Sequence, residues 1–385
     1  MRSVLGLLFA MVLISPGLAQ EKKGKAAGAE KIDPVKVDSA IKKGLAYLKS
    51  QLSKFGTLNK RRSDELILWT FTHGGVPETD PDFERLLKTV TESKLEWTYN
   101  VSLQAMILEE LDRVKYQGRI GQCAQFLVDN QCLNGQWSYG EVDPFAQDVP
   151  TGTGKKAVAS SGGKTKPGVP GQRIKPKVFN SITIKSMKKG PARGDNSNAQ
   201  YAALGLRACH DAGVVIPPET IEPAEKWWRE GTTGEGWGYL NKGDSGYGSM
   251  TAGAVGALTI YQFIQGKQWM KDKDVVAGMD WLGKNFTVTQ NPGPHDADGG
   301  QNGWQYYYLY ALERAGIFYG TEMLGAHEWY VEGAQYLLGE QSAEGGWTSK
   351  GTNHAIWDTC FAILFLRRAT RPLTDVASFD PKLKK

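Results

Sequence analysis

Apolar residues recur at helical spacing along almost the whole chain. Val37, Ile41, Leu45, Leu48 and Leu52 fall on one stripe of a 3.6-residue period, and Gly56 follows as a stop signal. Strand-like alternation is almost absent. The same period predicts helices over about 64–74, 82–95, 100–114, 116–131, 196–212 and 221–231, then 248–264, 273–286, 302–316, 327–341 and 353–368. With a first helix at about 35–52, they make twelve helices in six sequential pairs.

The two members of a pair differ. The first is amphipathic with a charged face, as in 35–52 and 116–131; the second is apolar or small on most sides, as in Met250 to Ile264, Tyr201 to Cys209, Tyr306 to Ala311 and Thr359 to Leu366. A helix apolar all round is a buried helix. Alternation of the two kinds predicts two concentric layers, an all-α ring of six outer and six inner helices from about Val35 to Ala369. Closure leaves no exposed solenoid end.

The connections from outer to inner helix carry glycine and tryptophan, at Gly135/Trp137, Gly236/Trp237, Gly303/Trp304 and Gly346/Trp347. Two of them share a longer repeat. Gln131, Gly135 and Trp137 have the same Gln-x-x-x-Gly-x-Trp spacing as Gln341, Gly345 and Trp347. Glycine permits the left-handed turn that ends the outer helix, and an indole N–H can reach a nearby carbonyl. The motif therefore reads as a structural clasp.

These repeats resemble the "QW" motifs of squalene and oxidosqualene cyclases and of protein prenyltransferase β subunits, families that share an α6–α6 toroid; the cyclases place their site between two toroids, and this chain has length for one. The resemblance covers the mature chain apart from one basic stretch. Their functional residues do not carry over. The acid motif of the cyclases, Asp-x-Asp-Asp, has as its nearest match Asp296-Ala297-Asp298-Gly299-Gly300, which lacks the last aspartate and lies in a Gly/Pro-rich turn. The Asp-x-Cys zinc pair of the prenyltransferases is missing, and Asp358 stands where their zinc-binding histidine would be, so no metal and no cofactor is expected. Gly339-Glu340-Gln341 lacks the cysteine of a complement-type thioester motif. The runs Asp195–Tyr201 and Trp304–Tyr308 are similar to those of exported bacterial prenyltransferase and squalene oxidase repeat proteins, a resemblance that implies no established activity.

Arg2, the apolar run Val4 to Ile14 and the small residues Gly17-Leu18-Ala19 have the anatomy of a cleavable signal peptide over 1–19. No other stretch approaches the roughly 20 apolar residues of a membrane span. The expected location is periplasmic or extracellular. Residues 20–34 read as a flexible lead-in and 370–385 as a tail. The four cysteines, Cys123, Cys132, Cys209 and Cys360, permit disulfides after export or serve as small buried thiols.

The formal net charge of +5 is misleading. Eleven lysines and arginines, from Lys155 to Arg193, crowd an insertion at about 144–194 that is rich in Gly, Ser, Thr and Pro. Its composition predicts a disordered surface loop. Phe179 is its only aromatic after residue 150, which argues against a nucleic-acid partner.

Candidate chemistry gathers at the starts of the inner helices, where free N–H groups and the positive dipole end favour anions. Asp64, Asn100, Asp195 with Ser197, Ser249 with Thr251, Gln305 with Tyr306, and His354 with Asp358 stand there. Asp64, Asp195 and Ser197 also suit capping. His354 and Asp358 are one helical turn apart, which would suit proton transfer, and Trp357 lies beside them. The candidate catalytic residues are therefore His354, Asp358 and Asp195; the candidate ligand-binding residues are Trp304, Tyr306 and Trp357. The expected function is an exported, non-catalytic toroid that binds a hydrophobic small molecule or a protein partner. The alternative is a secreted enzyme, either a terpenoid-type cyclase with a substitute acid or an (α/α)6 carbohydrate-active enzyme drawing on Asp195, Asp296, Asp298 and Asp358. Converging carboxylates would favour the glycan reading, an aromatic-walled cavity an isoprenoid, and a filled centre a scaffold.

Overall fold

A computed structural model describes residues 32–55, 64–149, 175–232, 234–294, 304–349 and 354–373. The expected signal peptide, Asp296, Asp298, Gly303 and most of the lead-in lie outside them. Twelve α-helices account for the body that begins at Ile32. The outer ones are α1 (Pro34–Phe55), α3 (Pro81–Glu92), α5 (Gln117–Asp129), α7 (Pro218–Glu230), α9 (Lys273–Lys284) and α11 (Trp329–Glu340). The inner ones are α2 (Asp64–Gly74), α4 (Thr98–Asp112), α6 (Asn196–Asp211), α8 (Gly248–Ile264), α10 (Gln305–Tyr319) and α12 (Ala355–Arg367).

The expected bounds fall within a few residues of these. The local reasons are the ones read from sequence. In α1 the stripe Val37, Ile41, Leu45, Leu48 and Leu52 is buried. Pro81 and Pro218 open α3 and α7, where a missing N–H costs nothing, and Asp80, Asp195 and Asp272 cap α3, α6 and α9 through their side chains. Every residue of α8 from Gly248 to Gln262 is buried, as the absence of a polar face requires.

Each inner helix packs on the next, α2 on α4, α4 on α6, α6 on α8, α8 on α10 and α10 on α12, and α12 returns to α2. The inner layer is therefore a closed ring. The outer helices lie against it, α5 against α4 and α6, and α1 against α12 and α2. Two small strand pairs decorate this frame: β1 (Ile182–Thr183) runs parallel to β2 (Val214–Val215), and β3 (Met323–Leu324) antiparallel to β4 (His327–Glu328).

Three expectations need correction or completion. The insertion at about 144–194 is not disordered at its ends: Phe145–Asp148 form a short 3-10 helix with Ala146 and the following Val149 buried, and residues 175–194 run from the end of α4, where Lys175 meets Glu110, past β2 to α5. Main-chain bonds hold the second part, with Asp129 Oδ1 accepting from the Met187 and Lys188 amides and Gln125 Nε2 donating to the Lys185 carbonyl. Residues 150–174 lie outside the described residues. The tail does not begin at 370, because Thr370 and Leu373 are buried and Arg371 pairs with Glu110. All four cysteines are buried free thiols, and burial pushes Cys123 and Cys360 up to about 12.

Candidate functional site

The clasps set the direction of the inner helices. Gln131 Nε2 donates to the Gly135 carbonyl (3.3 Å) and to Thr220 in α7 (2.8 Å), while the Trp137 indole donates back to Leu127 (2.7 Å). Gln341 Nε2 repeats this with Gly345 and Ala40 (2.8 Å each), and Trp347 with Leu337 (2.8 Å). Gly135 (φ +93°) and Gly345 (φ +92°) are left-handed, and a Cβ at either would strike a carbonyl of the next outer helix, Pro223 or Lys43. A third clasp uses Trp237, whose indole donates to Trp228 (2.7 Å). The six inner helices start at one mouth, since the first turn or N-cap of each lines a single cavity.

A cavity of about 500 Å³ occupies that mouth. The first turn or N-cap of every inner helix contributes to it: Leu66, Asn100, Ser197, Ser249, Trp304 and Trp357. Ten of its sixteen lining side chains are aromatic and, among the described residues, none carries a formal charge. The wall has two characters. On the α4–α6 side, Tyr239 and Ser197 hydroxyls lie 3.0 Å apart, and Ser197 Oγ donates to Asp195 Oδ1 at 2.6 Å. Deeper, Gln200 Nε2 donates to the Tyr307 hydroxyl (2.7 Å), which lies 3.4 Å from that of Tyr99. Burial raises the pKa of Tyr99, Tyr239 and Tyr307, so these hydroxyls stay protonated. The α10–α12 side is apolar, with Phe361 edge-on to Tyr307. Trp304, 37% exposed, lies near-parallel to His354 (centroids 5.1 Å) and Trp357 (6.2 Å) at the rim.

The sequence-derived candidates separate. Trp304 and Trp357 line the cavity, and His354 stacks on both at its rim. Tyr306 is buried on the side of α10 toward Tyr336 and Glu340 of α11, and Tyr307 is the residue that faces the cavity. Asp358 lies on the same side as Tyr306: its Oδ2 accepts the Ser349 amide (2.8 Å), and burial pushes its carboxyl up to about 7. Asp358 is not among the residues that line the cavity. Asp195 is an N-cap, accepting from the Asn198 amide (2.8 Å) and side chain (2.8 Å), and it meets the cavity only through Ser197. Thr251 accepts the Trp237 amide, Gln305 donates to Val288, and Ser249 is held by Asn291.

One acid was not singled out. Glu65 is buried and accepts from Asn100 Nδ2 (2.6 Å), and burial pushes it up to about 7. Its neighbour Asp64 is also buried with raised pKa, and both its carboxylate oxygens lack a hydrogen-bond partner among the described residues. Also missed were Trp97, Tyr99, Tyr139, Tyr239 and Tyr247. A signal for three of these is in the sequence: Trp97-x-Tyr99 opens an inner helix, Trp137-x-Tyr139 and Trp237-x-Tyr239 precede one, and each tyrosine lines the cavity.

No family model matches the chain, and no curated protein matches it in sequence. Solved structures similar to it include the type II terpene cyclase MstE from Scytonema in its apo form, at 11% identity and TM-score 0.48, covering 87% of this chain and 99% of that one. An aspartate-to-alanine variant of the same cyclase with its product merosterolic acid A aligns at 12% identity and TM-score 0.48, covering 87% and 97%. An arginine-to-alanine variant with the substrate geranylgeranyl dihydroxybenzoate aligns at 11% identity and TM-score 0.48, again covering 87% and 97%.

Proposed function

We propose that this is an exported, non-catalytic binding protein whose ring cavity takes a hydrophobic small molecule carrying one polar, uncharged end. The carrying observation is the cavity: about 500 Å³, ten aromatic walls, and no charged group among its described lining residues. That volume lies within the usual range of small-molecule sites, which are mostly apolar with a few placed polar groups. The polar groups here are the hydroxyls of Ser197, Tyr99, Tyr239 and Tyr307 on one side, which suit an alcohol or carbonyl oxygen. A protein partner would need a broad surface, whereas this site is concave. Export rests on the N-terminal sequence pattern.

Mass spectrometry of lipid-extracted, natively purified protein tests the reading, followed by titration of the delipidated protein with geranylgeraniol and tryptophan fluorescence as readout. A retained isoprenoid or other hydrophobic species and saturable quenching are expected. Absence of both would overturn the proposal.

One observation favours the cyclase alternative, the buried Glu65 held by cavity-lining Asn100. A carboxyl still half protonated near neutral pH could serve as the substitute acid. Turnover of an isoprenoid by the wild type and its loss in Glu65→Gln, with binding retained, would establish that reading over the first. The glycan alternative has no comparable support, since Asp195 is committed to its cap and Asp358 to Ser349.

A further inference from the structure

At the opposite end of the ring, where the inner helices finish, charged side chains surround a cavity of about 40 Å³. Four cations face it, Lys175, Arg207, Arg314 and Arg371, against three acids, Glu109, Glu110 and Asp211. The acids are already taken. Glu110 holds Arg371 through two bonds (2.6 and 2.8 Å) and Lys175 at 3.0 Å. Glu109 pairs with Lys175 and with Arg113, and Asp211 with Arg207 (3.3 Å).

Arg314 has no carboxylate partner among the described residues. It is 3% exposed, lies with its Cζ 4.2 Å from the Tyr310 ring centroid, and donates from Nη2 to Gln200 Oε1 (3.2 Å). Nη1 is buried with no hydrogen-bond partner, whereas Arg207 Nε is paired with Asp211. The Tyr310 hydroxyl accepts the Trp69 indole N–H (2.9 Å), which leaves its own proton for a further acceptor. All the unmet groups around this cavity are therefore donors. Tyrosine faces and the nearby Glu313 offset part of the guanidinium's charge, but a buried cation with no carboxylate in contact is expensive. The missing component is an acceptor, and the excess of positive charge asks that it be negative.

We propose that this end of the ring binds a halide ion on Arg314 Nη1, with the Tyr310 hydroxyl as a further donor. The size argues for a monatomic anion. A cavity needs about 10–15 Å³ of such volume per water, so this one holds roughly three water-sized particles, too few for a sulfate or phosphate with its five heavy atoms. A halide with one or two waters fits. Gln200 separates the site from the aromatic cavity, accepting from Arg314 on one side and donating to Tyr307 on the other.

The test uses the full chain. Crystals grown in sodium bromide, measured at the bromine absorption edge, should show one internal anomalous peak in contact with Arg314 Nη1. In solution, melting in sodium chloride or bromide against sodium gluconate at matched ionic strength should show a saturable, halide-specific rise in Tm. At tenfold excess over Kd the rise should be roughly 2–5 °C. Arg314→Met should abolish it. Ordered water with no bromide beside Arg314, or a bromide peak there without any halide-specific rise in Tm, would overturn the proposal. If Arg314→Met does not fold, the bromide position and melting curves of the wild-type protein decide.

Discussion

Gln341 Nε2 donates to the Ala40 carbonyl at 2.8 Å, joining the last outer helix to the first across 301 positions of sequence. Gln131 makes the equivalent bond to Thr220, joining α5 to α7. The clasp is therefore a tie between consecutive outer helices, and in the second copy the same tie closes the ring. Removing either amide leaves two carbonyls short of a donor, which should cost about 1–3 kcal/mol. Gln131 is the more buried, so Gln131→Ala should cost more than Gln341→Ala in urea unfolding. Trp137→Ala and Trp347→Ala remove fully buried indoles and should cost about 3–5 kcal/mol each. Losses under about 1 kcal/mol for the tryptophans would show that the clasps do not hold the ring.

Arg371 extends the ring's closure into residues expected to be a loose tail. Its two bonds to buried Glu110 make it a buried ion pair, and removing one partner of such a pair costs about 3–5 kcal/mol. Lys175 still contacts Glu110, so Arg371→Ala should fall at the low end of that range. Deleting 370–385 should cost more, since Thr370 donates from its backbone N–H and its hydroxyl to Glu313. A truncated protein that melts like the full chain would contradict this.

The ring was legible because its signals are local and repeated: helical period, caps, and glycine at left-handed turns. The packed ends of the insertion were not legible. Residues 185–194 are held mostly by their own backbone amides and carbonyls against Gln125, Asp129 and Gln131, and composition reports apolar side chains, not main-chain bonds. The choice between Tyr306 and Tyr307 was hidden for another reason. An inner helix is buried all round, so its apolar residues do not reveal which face meets a cavity and which meets the outer layer. The same ambiguity applies to Asp358, which accepts the Ser349 amide and is not among the residues that line the cavity.

Asp358 makes a pH prediction. Burial lifts its folded pKa from the ordinary 3.8 to about 7, so the folded protein holds the proton more tightly than the unfolded chain does. Its contribution to stability is full below about pH 4 and is lost as pH rises through about 7. Asp358→Asn keeps an oxygen for the Ser349 amide and removes the ionisation. It should match the wild type near pH 4 and exceed it by up to about 4 kcal/mol at pH 8. Glu65 and Glu313, both also pushed up to about 7, leave a residual slope of the same sign. Unfolding curves at pH 4.5, 6 and 8 provide the check, and an asparagine variant less stable than wild type at pH 8 would refute it.

Trp304 and Tyr306 are two residues apart and should respond in opposite ways. Trp304 is partly exposed at the rim, with its ring over the mouth and against Trp357 and His354. Its truncation should therefore cost little stability, under about 1 kcal/mol, as for other sites away from the core. A ligand that packs on it would lose a stacking contact of about 0.5–1.5 kcal/mol, so Trp304→Ala should weaken geranylgeraniol binding up to roughly tenfold. Tyr306 is 2% exposed and faces α11. Tyr306→Ala should lower the melting temperature by several degrees and leave the affinity of the remaining folded protein unchanged. Fluorescence titration and thermal melting of both variants separate the outcomes. Equal loss of affinity in the two would mean that the ligand does not occupy the aromatic cavity as drawn, and unchanged affinity in Trp304→Ala would place it away from the rim.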